Sequence, residues 1–130
     1  MQKTINQLMT KEVIVIDFNT KFSKILEFFH EFRMNHLPVV YNEKLVGMIS
    51  IRDVLETYYK HLGDPSSFTI ENIDSHFKVE DIMTKDVHSI KADATREDAA
   101  KTFKKNMFRS LPVTNNEGQL IGIITPLDLI

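Results

Sequence analysis

The most constraining feature of this chain is an internal repeat. Met9-Thr10-Lys11-Glu12-Val13-Ile14-Val15-Ile16 returns 74 residues later as Met83-Thr84-Lys85-Asp86-Val87-His88-Ser89-Ile90. Asn35-His36-Leu37-Pro38-Val39 returns at the same spacing as Arg109-Ser110-Leu111-Pro112-Val113. One residue is then gained in a turn. Gly47-Met48-Ile49-Ser50-Ile51-Arg52-Asp53 therefore returns 75 residues on as Gly122-Ile123-Ile124-Thr125-Pro126-Leu127-Asp128. Three blocks in one order and nearly in register make the chain two copies of one unit. The copies are expected over residues 1–62 and 78–130, with 63–77 a connector that has no counterpart. Neither copy, at about 65 residues, buries enough surface to be comfortable alone, so the two are expected to share a core.

Composition narrows the function classes. The 42% hydrophobic and 26% charged residues are those of a soluble globular protein. A net charge of −2 gives no general pull toward nucleic acid or an anionic membrane. With no cysteine there is no disulfide, no thiol nucleophile and no thiolate metal site. No signal peptide or bilayer-spanning run is seen, so no membrane role and a cytoplasmic location are expected.

Along the chain, Thr4 is placed to cap a short helix through Met9, and the β-branched run Val13–Ile16 reads as a short strand. Thr20 or Ser23 is the expected cap of a helix whose Phe22, Ile25, Leu26, Phe29 and Phe32 recur at helical spacing, a core face. Leu37–Tyr41 and Lys44–Ile49 read as a hairpin turning at Asn42-Glu43. Val54, Leu55 and Tyr58 carry the next helix to about Lys60, before a Gly63-Asp64-Pro65-Ser66-Ser67 break. Phe68–Phe77 reads as a connector with a turn or two of helix. In the second copy, Lys78–Met83 mirrors the opening helix and Val87–Ile90 the short strand. Thr95 caps a helix carrying Ala99, Ala100, Phe103, Met107 and Phe108. Leu111–Thr114 and Gln119–Thr125 form a second hairpin, and the last helix, begun by Thr125 and Pro126, is cut short at Ile130. Each unit is thus strand, helix, hairpin, helix. The fold class is α/β (α+β), with two small helix-covered sheets about a pseudo-twofold axis.

In both copies a strand ends in Gly, two apolar residues, a hydroxyl and an acid three positions later. The simplest reading is a capping box, in which hydroxyl and carboxylate satisfy orphan N–H groups at a helix start. The same place also suits a phosphate or sugar. Duplication in a matching context favours the second role.

Other chemistries fit poorly. His30-Glu31 followed by His36 has a gap of six where a zinc helix needs four, and Pro38 follows. No Gly-rich phosphate loop, nucleophile elbow or carboxylate pair is present, which argues against an enzyme. Lys101, Lys104, Lys105 and Arg109 line one helix, most simply as a solvated face. With no reading helix and no overall basic charge, DNA binding is not expected.

With Met9-Thr10 and Met83-Thr84, His36-Leu37-Pro38-Val39-Val40 and Ser110-Leu111-Pro112-Val113, and the two Gly-h-h-Ser/Thr-x-x-Asp blocks, the whole chain resembles a tandem pair of cystathionine-β-synthase (CBS) domains, a Bateman module. The resemblance implies two β-α-β-β-α CBS repeats and two clefts. It further implies a regulatory module that binds AMP, ADP, ATP or S-adenosylmethionine, uses no other cofactor, and forms a homodimer. Carried onto this chain, it assigns Asp53 and Asp128 to ribose hydroxyls, with Ser50 and Thr125 by the ribose or phosphate. Asp128 would work with Thr10, Val13 and Ile14, and Asp53 with Thr84, Val87 and His88. Arg52, Asn35, His36, Arg109 and Ser110 are the phosphate candidates. The chemistry is coherent, since a diol can donate two hydrogen bonds to one carboxylate and adenine needs apolar walls.

The copies differ. Arg52 precedes the first acid where Leu127 precedes the second, Arg109 stands where the first copy has Asn35, and His88 replaces an aliphatic residue. Two functions are therefore carried forward: a sensor of adenosine compounds acting on an unnamed downstream effector, and a structural dimerisation module with vestigial clefts.

Overall fold

A computed structural model of the chain describes residues 3–32, 34–62 and 70–130. The elements run α1 (Ile5–Leu8), α2 (Phe22–Phe32), β1 (His36–Tyr41), β2 (Lys44–Ser50), α3 (Ile51–Leu62), α4 (Ile70–His76), α5 (Val79–Ile82), β3 (Ile90–Lys91), α6 (Arg96–Asn106), β4 (Leu111–Thr114) and β5 (Leu120–Ile124). A 3-10 turn, Pro126–Leu129, closes the chain. The strands make a β1-β2 sheet and a β3-β4-β5 sheet, mixed α+β as expected. In the second sheet β3 runs parallel to β4, and β4 pairs antiparallel with β5. Among the described residues, no helix is long and apolar enough to cross a membrane.

The described residues divide into two compact units, and neither is one sequence repeat. The first gathers residues up to Ile14, Asn42–Leu45 and Val87–Ile130; the second gathers Val15–Tyr41 and Val46–Asp86. Each repeat thus sends its opening segment into the other repeat's unit. The core of the first unit is Ile5, Ile90, Ala99, Phe103, Leu111, Val113 and Ile124, so Ile5 of the first copy packs among residues of the second. The second unit buries Phe22, Ile25, Phe29, Leu37, Val39, Ile49 and Val54 together with Ile73 and Val79 from beyond the first copy.

The local chemistry explains these elements. Helix α6 starts in a complete box: Thr95 Oγ1 accepts the Asp98 N–H at 3.1 Å, and Asp98 Oδ2 accepts the Thr95 N–H at 3.0 Å. These bonds hold the Asp98 carboxyl below its ordinary range; desolvation opposes them, and Lys101 adds a smaller lowering. The first hairpin turns on Asn42 and Glu43, both left-handed at φ 50° and 69°, the pair of angles that a two-residue type I′ turn requires.

Five expectations are corrected. Phe32, expected on the core face of α2, is 50% exposed. Val13–Ile16 is not a strand; only Ile16 pairs, in a parallel bridge to Val39. The second short strand lies at Ile90–Lys91 instead of Val87–Ile90. Helix α6 stops at Asn106, because Met107 takes the left-handed C-cap conformation at φ 56° and is 84% exposed, outside the core. Neither Thr20 nor Ser23 caps α2. Thr20 spends its hydroxyl on Asp17, accepting the Asp17 N–H at 3.0 Å and donating to Asp17 Oδ1 at 3.2 Å. The cap comes from outside the first copy: Asp74 accepts the Ser23 N–H at 2.9 Å and the Ser23 hydroxyl at 2.7 Å. The Gly63–Ser67 break lies outside the described residues. Of the Phe68–Phe77 stretch, Ile70–His76 is helical, Ile73 is 1% exposed, and the Phe77 ring lies 5.2 Å from that of Phe22.

Candidate functional site

The two hydroxyl-acid motifs sit where a strand passes into a helical turn. Asp53 Oδ2 accepts the Ser50 N–H at 2.8 Å, and Ser50 Oγ accepts the Asp53 N–H at 3.2 Å. At the second copy Asp128 Oδ2 accepts the Thr125 N–H at 2.8 Å and the Thr125 hydroxyl at 3.1 Å. Both acids are half-buried and both serve their own helix start, as the capping reading requires. Each does so through one oxygen; among the described residues, Oδ1 of either acid accepts no hydrogen bond. A carboxylate has about four lone-pair sites, so each retains capacity for further donors.

The opening segment of each repeat pairs with the other repeat two residues ahead of its hydroxyl-acid motif. In the first unit, Thr10 pairs with Ile123, exchanging N–H to O bonds of 2.9 Å in both directions, two residues before Thr125. In the second, Met48 pairs with Thr84, at 3.0 Å for the Met48 N–H and 2.8 Å for the Thr84 N–H, two residues before Ser50. The glycine of each motif permits this approach. A Cβ on Gly122 would lie 3.0 Å from Met9 Cγ and 3.0 Å from the Thr10 carbonyl oxygen. A Cβ on Gly47 would lie 3.0 Å from Met83 Cγ and 3.1 Å from the Thr84 oxygen, and would strike the Met83 sulfur. Sequence reading missed this glycine–methionine contact. Its signal was the co-occurrence of Met-Thr and Gly in both copies.

The remaining candidates fall into two groups by unit. With Asp128 in the first unit are Thr10, Val13, Ile14, Thr125, Arg109 and Ser110. Val13, Ile14 and Ser110 are half-buried, and Arg109 is exposed. With Asp53 in the second unit are Ser50, Arg52, Asn35, His36 and Thr84. The Asn35 carbonyl accepts the Ile51 N–H at 3.0 Å, tying the residue before β1 to the start of α3. Half-buried His36 opens β1. Arg52 lies out on the α3 surface, 86% exposed, with Nε 3.6 Å from Glu56, a pair worth little. Val87 and His88 belong to the first unit, where the His88 ring stacks on Phe108 at 4.9 Å between centroids. A hollow of about 620 Å³ elsewhere on the second unit, lined by Val15, Lys21, Lys24, Phe28 and Val40 among others, holds none of the candidates. Among the described residues no group of three or more His, Asp or Glu is arranged to hold a metal ion.

The CBS domain family model matches this chain twice, over residues 5–60 and 79–130. MJ1426 of Methanocaldococcus jannaschii, a protein described as uncharacterized, is 33% identical over 97% of this chain and 88% of its own length. The inosine-5'-monophosphate dehydrogenase of the same organism is 33% identical over 98% of this chain, but the match spans only 23% of that enzyme. Among solved structures, CBSX2 of Arabidopsis thaliana in complex with AMP superposes with a TM-score of 0.78 at 30% identity, over 97% of this chain and 92% of that one. The cytosolic domain of the Mg2+ channel MgtE in complex with ATP superposes at 0.71 and 25% identity, over 93% and 45%. With its motif blocks, exchanged segments and both family matches in agreement, this chain belongs to the CBS domain family, as a tandem pair.

Proposed function

We propose that this chain is a regulatory module that binds an adenosine compound (AMP, ADP, ATP or S-adenosylmethionine) and alters packing or dimer geometry in response, without catalysing a reaction. Asp53 and Asp128 hold ribose hydroxyls through Oδ1, while Oδ2 of each keeps its helix start capped. The observation that carries this reading is the paired crossing, Thr10 onto Ile123 two residues ahead of Thr125 and Thr84 onto Met48 two residues ahead of Ser50. Each crossing brings the opening segment of one repeat onto the strand that ends in the other repeat's hydroxyl-acid motif. Support also comes from AMP in CBSX2 and ATP in the MgtE domain. A ligand acts on such a module only as far as it prefers one packing over another.

A second reading has its own observation: both acids already accept the N–H of their own cap residue, so a purely structural dimerisation module uses the same bonds. Thermal shift and calorimetry with the four compounds separate the two. Binding, with one site's share lost in Asp53→Ala and the other's in Asp128→Ala, is the expected result. A flat response across all four leaves the structural reading.

A further inference from the structure

Helix α2 differs from its counterpart α6 at its start. Where α6 has Thr95 and Asp98, α2 has Lys21 and Lys24, so no residue of its own first turn can close a box. The missing cap is supplied by Asp74, whose two carboxylate oxygens take the Ser23 amide and hydroxyl at 2.9 and 2.7 Å. Beside this clamp Ile73 is 1% exposed, and Phe77 packs on Phe22. From the clamp the chain continues through fully buried Val79 and α5 to Met83 against Gly47, and on to Thr84, hydrogen-bonded to Met48 in both directions. The stretch from Ile73 to Thr84 is thus a strap fastened to the second unit at both ends. Its far end pairs with Met48, two residues before Ser50, itself boxed with Asp53.

The second copy holds its equivalent segment otherwise. The Ile5 and Asn6 N–H groups donate to the Ala94 and Ala92 carbonyls at 2.9 Å each, and Thr4 bridges to Thr95. Among the described residues no carboxylate from another element caps α6, which caps itself.

We propose that Asp74 is a positioning residue for the Asp53 site: its clamp on Ser23 holds the strap that lays Thr84 beside the Ser50–Asp53 cap, and the Asp128 site has no such dependence. This rests on the nucleotide reading for its ligand but not for its mechanics. Removing the clamp leaves the strap anchored at one end, so Thr84 samples more positions and the Asp53 site alone loses affinity.

The test uses two backgrounds, Asp128→Ala to isolate the Asp53 site and Asp53→Ala to isolate the Asp128 site, with AMP as titrant. Adding Asp74→Ala is expected to weaken AMP binding about threefold or more in the first background and to leave the second unchanged. Ser23→Ala, which removes only the hydroxyl bond, moves the same site by less and guards against a misfolded Asp74 variant. Amide exchange without ligand gives the independent arm. In the otherwise wild-type chain, Asp74→Ala is expected to speed exchange at the Thr84 N–H and not at the Thr10 N–H. Equal affinities at the Asp53 site, or equal slowing or speeding of both amides, overturns the proposal while leaving nucleotide binding intact. Should AMP not bind the wild-type chain, the nucleotide reading is what fails, and the Thr84 and Thr10 exchange rates still decide whether the strap positions Thr84.

Discussion

Thr84 and Met48 exchange two backbone hydrogen bonds of 3.0 and 2.8 Å, although one opens the second repeat and the other closes a hairpin of the first. Thr10 and Ile123 do the same in the other direction at 2.9 Å. These crossings are possible because the residue before each hairpin partner is glycine. Gly122→Ala would put a methyl group 3.0 Å from the Thr10 carbonyl oxygen and from Met9 Cγ. Overpacking of this kind costs about 1–3 kcal/mol. The methionine is flexible and the carbonyl is not, so adding Met9→Ala should recover part of the loss and no more. Urea denaturation of the two single variants and the double reads this as a non-additive pair. Full additivity would show that Met9 is not what the new methyl meets.

The three pairs Ser50–Asp53, Thr95–Asp98 and Thr125–Asp128 share a carboxylate that accepts the cap residue's N–H but not one surrounding, which permits an internal control. The first-repeat segment that meets Thr95 is Thr4–Asn6, bridged at Thr95 itself, and among the described residues no Met-Thr segment pairs ahead of it. Asp98→Ala should therefore cost about 1 kcal/mol of stability, the ordinary value of a lost cap, with no change in nucleotide affinity. Asp53→Ala and Asp128→Ala should cost a similar amount and each remove one site. Calorimetry with AMP beside chemical denaturation separates the two effects. If Asp98→Ala weakens AMP as much as Asp53→Ala does, the carboxylates act through stability alone.

Most of this was legible in the sequence, because repetition showed what composition could not. The hairpins, the helices and the self-capped boxes follow from local chemistry, and the structure has them within a residue or two. What escaped was set by distant partners. Val13–Ile16 is β-branched, yet only Ile16 finds a strand to pair with, because extended propensity does not supply a neighbour. Met107 reads as the next turn of an apolar face but becomes the C-cap. The α2 cap lies 51 residues away at Asp74, so no local pattern could name it. Its one trace was negative: lysines stand at both positions where the second copy carries a box. Of the site, the hydroxyl-acid pairs and the Met-Thr segments were readable, whereas the surface course of Arg52 beside Glu56 was not.

Acid should act on α6 in a definite direction. Asp98 has its carboxyl lowered, first by the Thr95 backbone N–H and next by the Thr95 side chain. A folded-state value below the unfolded one means that the cap's contribution is fully present above the usual carboxylate range. It is lost as pH falls through the lower folded value. The group is exposed, so the effect is local to the first turn of α6. An NMR titration following the Asp98 carboxyl and the Thr95 amide should show both moving together below about pH 4, the usual aspartate range. In Thr95→Ala the Asp98 titration should shift upward. An unchanged midpoint in that variant would remove the Thr95 hydroxyl as a cause and leave the Thr95 N–H alone.

Helix α3 carries the feature that bears on assembly. Its inner face buries Val54, at 3% exposed, while Ile51, Leu55 and Tyr59 recur every fourth residue and are 43%, 52% and 69% exposed. Side chains at that spacing lie along one stripe of the helix, and Phe32 on the same unit is 50% exposed. An apolar stripe of this kind suits a self-complementary twofold contact, in which the same patch faces itself. If the proposed homodimer uses it, Leu55→Glu places two like charges face to face across the axis and should convert dimer to monomer. Tyr59→Glu should do so less completely, because Tyr59 lies further out in solvent. Lys60→Glu, one residue on and off the stripe, should leave the mass unchanged. Sedimentation equilibrium over a concentration series measures all three. A Leu55→Glu chain that keeps the mass of the wild-type dimer would move the contact to another face, and a wild-type chain that is monomeric throughout would remove the homodimer from the proposed function.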